Sequence, residues 1–169
     1  MHSVPEPWLR GAIPGVDPSI APVLYAFQQA REDLAFNVDG LSPAEIWARP
    51  YGFGSVGFHI RHIAGSTERL MSYLERRELT PAQVAAAAVD EEPGNQNAEA
   101  LLAEMDRVFR SAEAVVRSID PATLPEPRWV GRKRLPTTVA GLLTHVAEHT
   151  QRHIGQAISA AKLVKAIGQ

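Results

Sequence analysis

Cysteine is absent from the 169 residues, so the chain has no disulfide, no thiolate nucleophile and no sulfur ligand for a metal. Histidine and the carboxylates are the only strong ligands left to it. An excess of one charge is lacking too: 17 basic and 19 acidic side chains give a formal net charge of −2, with no long run of either sign. That balance offers no electrostatic footprint for nucleic acid or an anionic membrane surface, and neither partner is expected. No apolar run approaches the roughly 18 residues that a membrane-spanning helix needs. The opening Met1-His2-Ser3-Val4-Pro5 lacks the basic and then apolar pattern of a signal peptide, so a cytoplasmic location is the expectation. Internal repeats, low-complexity tracts and strand-like alternation are missing as well.

What is present suits one domain over residues 1–169, with 45% hydrophobic residues to fill a single core. Pro5, Pro7 and Pro14, with Gly11 and Gly15, make residues 1–17 an irregular N-terminal arm. Its Trp8, Leu9 and Ile13 need the helices or a partner subunit to pack on. Asp17 is placed to cap a first helix with Pro18 in its opening turn, and Ile20, Val23, Leu24, Phe27, Ala30, Leu34 and Val38 then repeat at helical spacing. Ser42-Pro43-Ala44-Glu45 is a capping box heading one or two helical turns. Ser55 caps a second long helix running to about Glu75 or Arg77. Another capping box, Thr80-Pro81-Ala82-Gln83, heads an alanine-rich piece ending in the turn-prone Asp90-Glu91-Glu92-Pro93-Gly94-Asn95, and this reads as a crossover connection. From Asn97 to Ile119 the residues Leu101, Met105, Val108, Ala112, Val115 and Ile119 form the seam of a third long helix. Residues 121–136 carry four prolines, Trp129 and Arg132-Lys133-Arg134, either as a lid over a site or as a solvated loop anchored by one tryptophan. Thr137 caps a fourth long helix. The expected fold is all-α: a four-helix bundle with a crossover connection and an irregular N-terminal arm.

Five of the six histidines fall on two of these helices. His145, His149 and His153 recur every four residues on the fourth, so their rings climb one side in successive turns. His149 and His153 lie in its apolar stripe and His145 on the flank. A single buried histidine is usually a hydrogen-bonded core residue. Two at this spacing need separate partners if buried neutral, whereas one divalent cation satisfies both. A third ligand from a facing helix is then required, and the second helix offers His59 and His62. Helical angle mildly favours His59, which lies nearer the stripe of Val56, Ile60, Ile63 and Leu70; a site at an open edge would use His62 instead. Angle leaves the choice open.

The segment from Ser55 to Ala64, with His59-Ile60-Arg61-His62-Ile63-Ala64, and the His149-x-x-x-His153-x-Gly155-Gln156 of the fourth helix together resemble the DinB-like superfamily of four-helix-bundle metalloenzymes. The resemblance runs from the first long helix to the fourth. It implies a divalent ion on His62, His149 and His153, with His59 as a pocket neighbour, and it implies a homodimer. Ile154 stands where many members carry arginine, which removes any role of that arginine here.

Three neutral imidazoles would leave such an ion its full charge and open positions, a Lewis-acid or hydrolytic design. Zinc or nickel is the expected occupant, although iron, manganese or cobalt also accept this donor set. A di-iron centre needs glutamates on facing helices, and the third helix has none on its inner stripe. His145 could be a second-shell donor, a proton shuttle or a surface residue. Gln156 could orient a ligand or make a capping or interface hydrogen bond, and Gly155 could permit close helix approach. Glu148 follows the outer face, so no general base can be named. Two function classes follow. One is a metal-dependent enzyme acting on a small molecule, either a hydrolase or, as the resemblance implies, a transferase using a low-molecular-weight thiol. The other is a non-enzymatic dimeric bundle with a structural or stress-related role.

Overall fold

The computed structural model describes residues 4–168; Met1-His2-Ser3 and Gln169, which the single-domain and signal-peptide readings include, lie outside the described residues. Six helices account for most of the chain. They are α1 (Ala21–Val38), α2 (Pro43–Trp47), α3 (Val56–Leu74), α4 (Pro81–Ala88), α5 (Ala98–Arg117) and α6 (Val139–Ile167). The long α6 packs along α1 and α3, and α5 lies against α3 and α1. One hydrophobic cluster joins these four helices, with Phe27, Leu34, Ile60, Ile63, Met105, Phe109, Val146 and Ala157 essentially inaccessible to solvent. The rings of Phe27 and Phe109 stack at its centre with centroids 4.3 Å apart. No helix among the described residues is long and apolar enough to cross a membrane.

The helix starts are chemical. Ser55 accepts a hydrogen bond from the Phe58 amide and Asn97 one from the Ala100 amide, so each satisfies an orphan donor of its first turn. Both capping boxes form, Ser42 with Glu45 and Thr80 with Gln83. Two caps differ from expectation. Asp17 does not cap α1: its carboxylate takes the Ser19 amide and hydroxyl in a local turn, and the helix begins at Ala21 with Pro22 in its first turn. A short acidic side chain next to a serine satisfies itself locally before it reaches a helix. The cap of α6 is Thr138, not Thr137, accepting from the Gly141 amide.

The fold is mostly helical as expected but also holds a small two-stranded sheet. Residues Pro127–Val130 (β1) and Leu135–Thr138 (β2) pair antiparallel, Trp129 opposite Pro136, around a turn at 131–134. Strands of four residues, two of which contain proline, are too short for alternation to show. The hairpin is fastened by Arg128, whose guanidinium is buried and donates to the Leu74 carbonyl at 2.7 Å. Leu74 ends α3 twelve residues beyond His62, about 18 Å along the helix. The hairpin therefore does not serve as a lid over the histidines. At the chain's start the arm lies on α1, where Arg10 makes a bidentate pair with Glu32 and Tyr25 donates to the Gly11 carbonyl. Its Trp8 and Leu9 stay exposed, and Ile13 packs against the core.

The connection from α4 to α5 is held more tightly than its turn-prone sequence suggests. Arg61 stacks over the Trp47 ring at 4.8 Å and donates to the carbonyls of Asp90 and Glu92, while the Trp47 indole donates to the Gln96 carbonyl. Gly57 and Gly94 border that indole so closely that an added Cβ would lie 2.8 Å and 2.3 Å from it. Gln83 ties α4 to α3 through the Ser72 hydroxyl. These contacts bring residue 90 onto the face of α3 that carries His62.

Candidate metal centre

His62 on α3 meets His149 and His153 on α6, and one ring nitrogen from each lies within 4.8 Å of the others, a group that could hold a metal ion. Helical spacing brings this about. Residues 149 and 153 are one turn apart on the edge of α6 that faces α3, and α3 presents His62 and Ser66 in turn to the same seam. All three histidines are half-buried rather than sealed in the core. His59, nearer the stripe as its angle implied, is buried, and the off-centre His62 joins the cluster at the open edge of the helices. Phe58 walls this edge, its ring 4.9 Å from that of His59 and 5.4 Å from that of His62.

Each ring of the cluster has its Nδ1 beside a polar partner. For His62 it is the Asp90 carboxylate at 2.7 Å, for His149 the Ser66 hydroxyl at 3.4 Å, and for His153 the Nδ1 of His59 at 3.1 Å. Ser66 donates its own proton to the Ile63 carbonyl and is left to accept from His149. An Nδ1–H that donates to Asp90 or Ser66 fixes the tautomer with a bare Nε2 lone pair. The two Nε2 atoms of His62 and His149 stand 3.3 Å apart. In those tautomers they repel unless a cation or proton lies between them, so the donor set fits a divalent ion.

Electrostatics favour the neutral form of His59, His149 and His153. Burial and the neighbouring His153 and His62 push His59 down to about 4, and burial with the nearby histidines and Arg152 does the same to His149. His153 also falls to about 4, first through burial and then through His62 and Arg152, against a smaller opposing pull from Asp90 and Glu148. A neutral imidazole offers its lone pair at neutral pH. Asp90 is buried, which by itself raises a carboxyl; the hydrogen bond from His62 and the positive surroundings that include Arg69 and Arg61 outweigh this and hold it below the usual range.

The remaining expected residues fall elsewhere. His145 is about half exposed and bonds to Glu148 at 2.7 Å, with Glu148 also paired to Arg152, so these three form a solvated chain on the outer face of α6. Gln156 is exposed and makes no side-chain hydrogen bond among the described residues. Gly155 has nothing within 4 Å of where a Cβ would stand, so it does not serve close helix packing as expected. Ile154 is buried in the core, a position that an arginine could not share without an ionic partner. Two participants escaped the sequence reading. Ser66 was detectable one helical turn beyond His62, but Asp90, 28 residues away in an acidic turn, carried no local signal.

No curated protein matches the chain. A family model of the DinB superfamily matches residues 26–157, a span that takes in α3 and the part of α6 bearing every histidine of the cluster, and the chain belongs to that superfamily.

Proposed function

We propose that His62, His149 and His153 bind one divalent metal ion, zinc or nickel, and that the protein is a metal-dependent enzyme acting on a small molecule. The four long helices form a four-helix bundle in this reading, with α2 and α4 on its connections and the arm at residues 1–17. The observation that carries it is the convergence of one ring nitrogen from each of three histidines, with Asp90 and Ser66 already beside the Nδ1 atoms of His62 and His149. A bound ion would supply Lewis acidity to polarise a substrate oxygen or a low-molecular-weight thiol. The chain's own residues do the rest. Asp90 orients His62, Ser66 orients His149 and His59 lies beside Nδ1 of His153, so the ligand set is held before anything binds. Phe58 keeps water from one side.

An enzyme is favoured over a purely structural metal because the three rings are half-buried at an edge rather than sealed in the core, whereas structural sites are closed on all four sides. Hydrolysis and thiol-dependent transfer are the two reactions to test; a homodimer in the cytoplasm completes the proposal. Elemental analysis of untagged protein purified without added metal is the first experiment, with His62→Ala, His149→Ala, His153→Ala and His145→Ala alongside. About one equivalent of metal, lost in the first three variants and kept in the fourth, is expected. Absence of metal together with failure to take up zinc or nickel would defeat the reading, and a monomeric mass in solution scattering would remove the dimer.

A further inference from the structure

At the end of the helices remote from the histidines, a groove of about 970 Å³ opens between the C-terminal turn of α3, the chain that follows it, α4 and the hairpin. Its volume is at the upper end of the range for small-molecule sites. Tyr73, where the groove reaches α3, is eleven residues beyond His62, about 16 Å along the axis, so the groove is separate from the histidine cluster.

The lining has two characters. One part is apolar: Leu79, Val84, Ala87 and Ala88, with the Trp129 indole. The other is cationic, with five arginines on the lining and Glu78 as its one carboxylate. Three of those arginines have partners. Arg76 and Arg128 share Glu126, and Arg77 pairs with Glu75. Arg132 and Arg134 have no acidic partner among the described residues. Arg134 lies over the Trp129 ring at 5.0 Å, and its backbone is in the left-handed region at φ 49, which an arginine seldom adopts. The turn thus holds a strained residue whose side chain is set beside an aromatic surface, with a second guanidinium two residues before it.

We propose that this groove binds a small organic anion with an aromatic body, its carboxylate taken by Arg132 and Arg134 and its ring laid between Trp129 and the apolar wall of α4. Planar guanidinium groups match a carboxylate, and a guanidinium already stacked on indole loses little freedom when it pairs. A neutral aromatic compound would leave the two cations unanswered, and inorganic phosphate would leave the apolar wall wet.

The test is calorimetric titration of the full chain, as purified, with 2-naphthoate, 2-naphthalenemethanol and inorganic phosphate. Wild type is expected to bind one equivalent of 2-naphthoate and to bind the neutral alcohol and phosphate at least about tenfold more weakly. Arg132→Ser with Arg134→Ser, and separately Trp129→Ala, should each weaken 2-naphthoate by about tenfold or more, while His149→Ala binds as wild type. Arg132→Glu provides a further surface variant with the same expected loss. Absence of saturable binding, wild-type affinity in the arginine variants, or equal binding of the alcohol would overturn the proposal. Loss of binding in His149→Ala would also overturn it, by placing the anion on the histidine cluster.

Discussion

Replacing Asp90 tests the logic of the metal centre at its least visible point. The Asp90 side chain is 11% exposed and its carboxylate lies 2.7 Å from His62 Nδ1, so it fixes the tautomer and direction of that ring. Asp90→Asn keeps the shape and an acceptor oxygen but removes the charge; Asp90→Ala removes both. A hydrogen bond to a charged group contributes about 1.5–3 kcal/mol, and loss of a partner behind a metal-bound histidine typically lowers affinity by about 10–100-fold. Asn should therefore fall near the tenfold end and Ala near the hundredfold end. Arg69, 3.5 Å from the same carboxylate, loses its neutraliser in both variants and adds like charge near the site. The assay is competition of zinc, and then nickel, between the protein and a chromophoric chelator at fixed pH. Far-UV circular dichroism and the thermal midpoint without metal report whether the fold survives. Affinity within about twofold of wild type in both variants would refute the argument that Asp90 positions His62.

Other consequences follow from the packing and the charges. Phe109→Ala removes a ring with no exposed surface that stacks on Phe27, and should cost about 3–5 kcal/mol, read as a fall in the urea midpoint. Gly94→Ala and Gly155→Ala should move stability in opposite directions. The first drives a Cβ to 2.3 Å from Trp47, displacing the segment that carries Asp90, and should lower both the thermal midpoint and zinc affinity. The second adds a methyl to an open helical position and should stabilise by about 0.5–1 kcal/mol. The metal-free protein should also lose stability in mild acid. His59, His149 and His153 titrate near 4 when folded and near 6.5 when unfolded, so between those values the unfolded chain binds more protons. The contribution is complete above about pH 6.5 and is lost as pH falls toward 4. Equal urea midpoints at pH 7 and pH 5 would contradict neutral, buried rings.

Sequence alone determined the helices and the register of the histidines, because both are local properties. Apolar spacing and side-chain caps at Ser42, Ser55, Thr80 and Asn97 set where α2, α3, α4 and α5 begin, each through hydrogen bonds within three residues. The four-residue recurrence of His149 and His153 likewise put two imidazoles on one edge of α6 before any partner was known. Angle on α3 correctly placed His59 inside and His62 off centre, but it could not decide which one joins both His149 and His153 in the cluster, because that depends on how the two helices are rotated against each other. Only the tertiary structure made that decision, setting the seam so that His62 faces His149. The same holds for Asp90. Its place behind His62 depends on Arg61, Trp47 and two glycines that draw a distant turn onto α3, a set of contacts with no common period or spacing in the chain. The hairpin belongs with these, since its four-residue strands are held by Arg128 on the end of α3 and leave no pattern of their own.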